Sequence, residues 1–188
     1  GHIDFKHKRK QYWLPAMGNL DLDIKNQWPF KFTLSEVQCG AGIVMLRKLD
    51  SLNKIRIQRA KKIINSLKNF KELNFNEEFK GTRHVYHLLS AYYKPFKNIN
   101  RDDLIELLYR KFKIKCAVQY YPLYRYDLFK KMGIKKINCK NTEHFYDNMI
   151  SFPFHVWMSN KNFNYLIKSL KYCLKILRNK HLQRKFNI

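Results

Sequence analysis

Acidic side chains are scarce in this chain of 188 residues: 14 Asp and Glu stand against 38 Lys and Arg, giving a formal charge of +24. Two readings follow. One is a polyanionic partner, either nucleic acid or an anionic membrane surface. The other is coding bias, because Lys, Asn and Ile rise together as they do in AT-rich genomes. The basic residues are spread along the chain and mixed with apolar ones, not gathered in one arm, and that distribution fits bias better. Long apolar runs are also missing, and none approaches the roughly 20 residues of a spanning helix. The first residues are polar and basic (Asp4, Lys6, His7, Lys8, Arg9, Lys10), unlike a secretory leader. The chain opens on Gly1 rather than Met, which predicts a piece of something longer. Cysteines are few and far apart (Cys39, Cys116, Cys139, Cys173), with no close pair and no zinc-ligand spacing. Free thiols in a reducing cytoplasm are the simplest expectation. No internal repeat or low-complexity linker is present.

Hydrophobic content is 45% and charged content 28%, which supports a real core and argues against disorder. Residues 1–32 lack periodicity; Trp13, Pro15, Gly18, Trp28 and Pro29 suggest loops and short strands. The pattern then changes. Thr33 with Glu36 and Ser35 with Gln38 form two overlapping candidate capping boxes. Val37, Ala41, Val44, Leu46 and Leu49 recur at helical spacing, and Ile55, Ile57, Ala60, Ile63, Ile64 and Leu67 continue it. A bend is expected near Asp50 to Asn53. Gly40 and Gly42 inside this helix predict close packing against another backbone. Each costs roughly 1 kcal/mol against alanine.

Residues 84–93 read as a strand rich in aromatic and branched side chains. Asn100 offers an N-cap to a helix with a stripe of Leu104, Leu107, Leu108 and Phe112. Ile114 to Tyr121 reads as a second strand ended by Pro122. Residues 123–140 read as loop and short helix with a turn at Gly133. Residues 142–150 read as a helix capped by Asn141 or Thr142, and Ser151 to His155 as extended. Ser159 caps a last helix carrying Phe163, Leu166, Ile167, Leu170, Cys173, Leu174 and Leu177. The tail from Arg178 is basic and expected to fray. The order helix, strand, helix, strand, helix, helix predicts an α/β layer, one sheet with helices against it.

His84 and His87 would share a face on a helix and could then bind a metal. On a strand they point to opposite faces, so packing histidines and no metal are expected. Tyr120, Tyr121, Tyr124, Arg125 and Tyr126 interleave aromatic faces with a cation. That composition fits a single-stranded nucleic-acid platform, a sugar or nucleotide pocket, or plain packing. No catalytic triad suggests itself. The Gly40-Ala41-Gly42 run follows no strand, so it is no phosphate loop.

Three blocks in this order resemble the DegT/DnrJ/StrS group of sugar aminotransferases. Ser35-Glu36-Val37-Gln38-Cys39-Gly40-Ala41-Gly42-Ile43-Val44-Met45-Leu46 with Lys48-Leu49-Asp50 is similar to that family's S-E-x-Q-A-A-x-G-L-x-Q-L…K-L-D helix. His84-Val85-Tyr86-His87-Leu88 is similar to its H-x-Y-H-L segment. Val118-Gln119-Tyr120-Tyr121-Pro122-Leu123-Tyr124 and Ile150-Ser151-Phe152-Pro153-Phe154-His155 are similar to its V-H-Y-x-P-L and L-S-L-P-L-H segments. The blocks cover roughly residues 12–177.

The resemblance implies a fold-type-I, pyridoxal-phosphate-dependent transferase of α/β class. Residues 1–50 would end the large cofactor domain and begin the linking helix. Residues 51–177 would form the small C-terminal domain, and residues 178–188 a basic tail. It also implies a cytoplasmic homodimer without a membrane span, with a nucleotide-sugar substrate and an amino-acid amine donor, usually glutamate, in surface-polysaccharide synthesis. A positive field would attract the substrate's diphosphate. The alternatives are a basic nucleic-acid-binding module and a non-catalytic dimerising remnant. The Schiff-base lysine of the family falls upstream of every matched block, so no catalytic residue is assigned and the chain alone is expected to be inactive. Lys31 takes the place of the asparagine that reaches the cofactor phosphate in G-Y-N-Y-R, and Thr33 that of its arginine. A lysine can hold phosphate as a point charge. Gln119 stands where many members have a histidine; it can hydrogen-bond sugar hydroxyls but cannot titrate. Tyr121, Tyr124 and His155 complete the implied substrate set.

Overall fold

A computed structural model describes residues 34–96, 98–133 and 138–179. The expectations for residues 1–32 and for Thr33, and the fraying of residues 180–188, lie outside the described residues. The chain divides between Leu49 and Asp50 into two units.

In the first unit, the described residues are the start of α1 (Glu36–Leu67). Ser35 and Gln38 close the expected capping box: the Gln38 N–H donates to Ser35 Oγ at 3.3 Å, and the Ser35 N–H donates to Gln38 Oε1 at 2.9 Å. Val37, Ile43, Val44, Met45, Leu46 and Leu49 are all exposed. Among the described residues, and apart from the helix's own backbone, no atom lies within 4 Å of where a Cβ would stand on Gly40 or Gly42. Helix α1 continues through Asp50 to Asn53, a stretch with neither proline nor glycine.

The second unit holds the core. A three-stranded antiparallel sheet has the order β1-β2-β3, with β1 Leu73–Phe75, β2 Leu89–Tyr93 and β3 Met149–Phe152. The register sets Leu73 against Tyr93, and Leu89 against Phe152. Strand β2 alternates as a one-sided strand should: Leu89, Ala91 and Tyr93 point into the core, and Ser90 and Tyr92 are half-buried. Helix α5 (Asn160–Arg178) supplies the core's largest apolar face, from Phe163 through Leu170 and Leu174 to Leu177. Helix α2 (Arg101–Phe112) packs on α5 through Leu104, Leu107 and Leu108. The last turns of α1 add Ala60, Ile63 and Leu67.

Two of the three remaining caps are as expected. Asn100 Oδ1 accepts from the N–H of Asp102 and of Asp103, and the Asp103 carboxylate in turn accepts from the Asn100 N–H. Ser159 Oγ accepts from the Asn162 N–H at 3.1 Å. Each joins an orphan donor of the first turn to a side chain, an arrangement worth about 1 kcal/mol.

Four expectations need correction. Strand β2 begins at Leu89, not His84, because Tyr86 adopts a left-handed conformation (φ 50°) that stops extension. The strand expected over Ile114–Tyr121 is reduced to one bridge, Ala117 to Ser151. Its first residue is used elsewhere: α2 ends in left-handed Lys113, and the Ile114 N–H donates back to Leu108 O at 3.2 Å. Helix α4 spans Lys140–Asn148, with Cys139 rather than Asn141 or Thr142 at its N-cap and no side-chain cap bond. Met149 and Ile150 leave it to pair with β2. The short strand β1 was not anticipated. Between them lie a 3-10 turn at Leu123–Arg125, α3 (Asp127–Lys131) and the turn at Gly133 (φ 80°), much as the sequence suggests.

Candidate functional site

The Ala117–Ser151 bridge sets the geometry of the site. Ala117 N–H donates to Ser151 O at 3.0 Å, and Ser151 N–H donates to Ala117 O at 2.8 Å. This pair ties the segment entering Val118–Tyr124 to strand β3. Two residues on, the Gln119 N–H donates to Met149 Sδ at 3.2 Å. The result is an open groove of about 160 Å³ whose wall includes His87, Lys115, Gln119, Ser151, Pro153 and Phe154. It is smaller than the roughly 300–1,000 Å³ of complete small-molecule pockets, so it suits one ring-sized part of a ligand. Two of the three sequence blocks converge here: His87 comes from the second, and Gln119 and Ser151 to Phe154 come from the two segments of the third. The Gln119 side-chain amide makes no hydrogen bond among the described residues, whereas Ser151 Oγ is engaged with Ser90 Oγ at 2.8 Å.

The approach to this groove is strained. Tyr86 is 6% exposed and left-handed, a conformation costing a bulky residue of order 1–3 kcal/mol. Its neighbours hold it there. Its hydroxyl donates to Glu78 Oε1 at 3.0 Å, its N–H donates to His84 Nδ1 at 3.1 Å, and the His84 ring meets its edge at 4.2 Å. Burial, and then the Glu78 bond, push the Tyr86 phenol up to about 12. Bonds from Lys61 and then Tyr86 hold the Glu78 carboxyl below its usual range. His84 therefore packs, as expected, although not on a strand. His87, expected to pack, is exposed and lines the groove instead.

A second cluster adjoins Gln119 in sequence. Tyr121 meets the edges of Tyr126 (4.8 Å) and Tyr146 (5.6 Å). The Arg125 guanidinium lies 5.1 Å from the Tyr146 ring centre and 6.0 Å from that of Tyr121. Glu143 and Asp147 of α4 both pair with Arg125, Asp147 at 3.4 Å. The two acids stand four residues apart on one helix face, a spacing visible in the sequence that singles them out only once Arg125 is known to face α4. Tyr124 is half-buried, and its hydroxyl is shut off from solvent with no hydrogen-bond partner among the described residues. Such an orphan costs about 1–3 kcal/mol.

The structure thus brings Gln119 to the groove and Tyr121 to the aromatic cluster. His155 lines neither. Its ring is exposed, and its carbonyl accepts from Arg59 Nη1 at 2.6 Å. Lys31 lies outside the described residues. A larger cavity, about 470 Å³, opens at Tyr93, Lys94, Phe96 and Arg178 and contains none of the predicted residues. Its guanidinium is already matched: Arg178 binds Glu72 at 2.5 and 2.9 Å and Asn69 O at 3.0 Å. Among the described residues no group of three His, Cys, Asp or Glu is placed to hold a metal ion, and no helix is long and apolar enough to cross a membrane.

Known proteins give the site a context. The chain is 28% identical over 148 residues to the UDP-4-amino-4,6-dideoxy-N-acetyl-beta-L-altrosamine transaminase of Campylobacter jejuni, covering 75% of this chain and 37% of that one. It is 22% identical to the spore coat polysaccharide biosynthesis protein SpsC of Bacillus subtilis, covering 78% and 38%. Among solved structures it is similar to Helicobacter pylori PseC, an aminotransferase involved in the biosynthesis of pseudoaminic acid. That match has a TM-score of 0.66 at 21% identity, over 78% of this chain and 39% of that one. S. venezuelae DesV gives a TM-score of 0.67 at 19% identity, over 84% and 42%. The chain therefore spans a little over a third of the length of the curated relatives it matches. These folds place the small sheet and its helices within a fold-type-I aminotransferase. The profile of the DegT/DnrJ/EryC1/StrS aminotransferase family matches residues 6–171, and the chain belongs to that family.

Proposed function

We propose that this chain supplies the substrate-facing small domain of a pyridoxal-phosphate-dependent aminotransferase acting on a nucleotide-linked keto-sugar. Residues 51–177 make up that domain, and residues 1–50 carry the end of the cofactor domain into α1. The amine donor is an amino acid, glutamate in the first instance, and the product serves cell-surface polysaccharide synthesis. The working enzyme is a cytoplasmic homodimer with its active sites at the subunit boundary.

One observation carries this reading: the second and third blocks that resemble the family, far apart in sequence, meet around a single groove at His87, Gln119 and Ser151–Phe154. The free amide of Gln119 can donate to one sugar hydroxyl and accept from another. Tyr121 offers a ring face, and with the Gln119 amide this gives the mixture of flat apolar surface and fixed polar groups that recognises a sugar. In this family the amino group travels on pyridoxal phosphate, which supplies the electron sink. The described residues do not fit as its cradle: no described lysine is buried, whereas an imine-forming amine must be enclosed. Its attachment, and any role for Lys31, lie elsewhere.

The test uses the complete enzyme and the chain alone. In the complete enzyme, Gln119→Ala and Tyr121→Ala raise the KM for the sugar nucleotide more than they lower kcat, with 2-oxoglutarate release from glutamate as the readout. The chain alone, given cofactor and borohydride, yields no lysine adduct and no turnover. Unchanged KM in both variants, or turnover by the chain alone, overturns the proposal.

A further inference from the structure

The basic residues look dispersed in the sequence, but the fold gathers one set of them. Helix α5 has 19 residues and no Asp or Glu. One side is buried in the core. The other carries Lys161, Lys168, Lys171 and Lys175, with Tyr165 and Tyr172 between them. At 100° per residue these six positions fall within one arc of about 120°. The stripe continues onto the end of α2. Lys111 Nζ lies over the Tyr172 ring at 4.4 Å and donates to its hydroxyl at 2.6 Å. Lys113 and Lys115 sit over Tyr109 at 5.5 and 5.9 Å. The acids of α2 are engaged: Glu106 pairs with Arg110 at 2.5 Å, Asp102 pairs with Arg101 at 2.7 Å and Asp103 accepts from the Asn100 N–H at 2.7 Å, while Glu72 is held by Arg178.

We infer that the outward face of α5, extended by Lys111, Lys113 and Lys115, docks this protein peripherally on an anionic phospholipid surface. Shape decides between the two polyanions that charge alone would allow. A straight surface helix of 19 residues is convex and about 28 Å long. It forms no groove to track a single strand of nucleic acid, as sequence-tolerant strand binders do. The tyrosines are not free platforms for bases either. Tyr165 and Tyr172 stand edge-on to Phe112 at 6.0 and 5.5 Å, the Tyr165 hydroxyl donates to Phe112 O at 3.2 Å, and Lys111 covers the Tyr172 face. A plane of phosphates meets every lysine of the stripe at once. Tyrosine, with an apolar body and a polar tip, suits the headgroup level. The exposed face of α5 has no aliphatic residue, so docking is electrostatic and reversible rather than insertive. A second copy of the same face is excluded by like charge.

The test is sedimentation with vesicles of phosphatidylcholine, with and without phosphatidylglycerol. The chain binds the anionic vesicles, releases on added salt, and ignores the neutral ones. Each lysine near such a surface contributes roughly fivefold in partitioning, so K161E/K168E/K175E lowers it by about 100-fold or more. The control K54E/K68E/K80E has the same net charge and alters three exposed lysines elsewhere; it loses far less. The neutral triple K161Q/K168Q/K175Q falls between, and a wild-type circular-dichroism melt shows that each variant is folded. Equal losses in the two reversal triples would reduce the effect to bulk charge and overturn the proposal. So would binding to neutral vesicles, or a loss confined to single-stranded oligonucleotide binding while vesicles are ignored. The aminotransferase reading is untouched by any of these outcomes, since none of the substituted lysines lines the groove.

Discussion

Arg101 is 9% exposed at the start of α2, and its removal should loosen the site from behind. Its Nη1 donates to Tyr146 O at 2.9 Å and to Met149 O at 3.1 Å. It therefore staples the end of α4 and the first residue of β3 to α2. Hydrogen bonds from a charged donor contribute about 1.5–3 kcal/mol each when their loss leaves a buried acceptor unpaired. Two bonds sharing one nitrogen should give roughly 3 kcal/mol together. The pair with Asp102, whose side chain is 72% exposed, adds little. Arg101→Ala should thus cost roughly 3 kcal/mol, or a fall of about 10 °C in Tm for a unit of this size. Urea unfolding followed by circular dichroism reads the loss as a lower midpoint at unchanged slope. Arg101→Lys keeps one donor and should fall between. Hydrogen exchange supplies the local readout: amides of Tyr146 to Ile150 should exchange faster than those of α5. A loss below about 1 kcal/mol, or uniform acceleration across the unit, would refute the reasoning. Because Tyr146 is also a wall of the Tyr121 cluster, the same variant should weaken sugar-nucleotide affinity in the complete enzyme.

Tyr124→Phe removes a hydroxyl that is enclosed and unpaired. The chain should keep its stability or gain about 1 kcal/mol. A loss of more than about 1 kcal/mol in the chain would mean that the hydroxyl has a structural partner. The thiols make a pH prediction. Burial pushes Cys116 and Cys173 up from an ordinary 9.0 to about 12. The unfolded chain sheds these protons above 9.0 and the folded chain keeps them, so stability is full below 9.0 and is lost as pH rises towards about 12. A Cys116→Ala variant should lose less stability than wild type over that interval, and equal alkaline loss would place the cause in other groups.

What was legible in the sequence follows from which forces are local. Helices α2 and α5 declare themselves because one buried stripe recurs at helical spacing and Asn100 and Ser159 close the first turns. The Ser35–Gln38 box is equally local. Strands depend on partners. Ile114–Tyr121 has strand composition, but only Ala117 finds one. Residues Leu73–Phe75 are too short to stand out, and pair only because Ala91 to Tyr93 lie beside them. Tyr86 is harder still, since nothing in H-x-Y-H announces a left-handed aromatic; its conformation is fixed by Glu78, eight residues away. For the site, the blocks that resemble the family pointed to Gln119 and Tyr121, which lie in the groove and in the aromatic cluster. They could not give the Arg125 clamp, which needs α4 to swing Glu143 and Asp147 across. Nor could they show that the His155 ring stands apart from both.

The outer margin of β3 has a consequence for how this protein meets other chains. Ser151 directs its N–H and carbonyl outward to Ala117, so Met149 and Pro153, two residues either side, present their backbone the same way. The Met149 carbonyl is taken by Arg101, and Pro153 has no N–H to offer. An incoming extended peptide would find no run of vacant donors and acceptors there. The opposite margin, β1, is three residues long. A small sheet closed in this way is poorly suited to recruit further strands, so crowding at high concentration should not convert this domain into a fibre by edge addition.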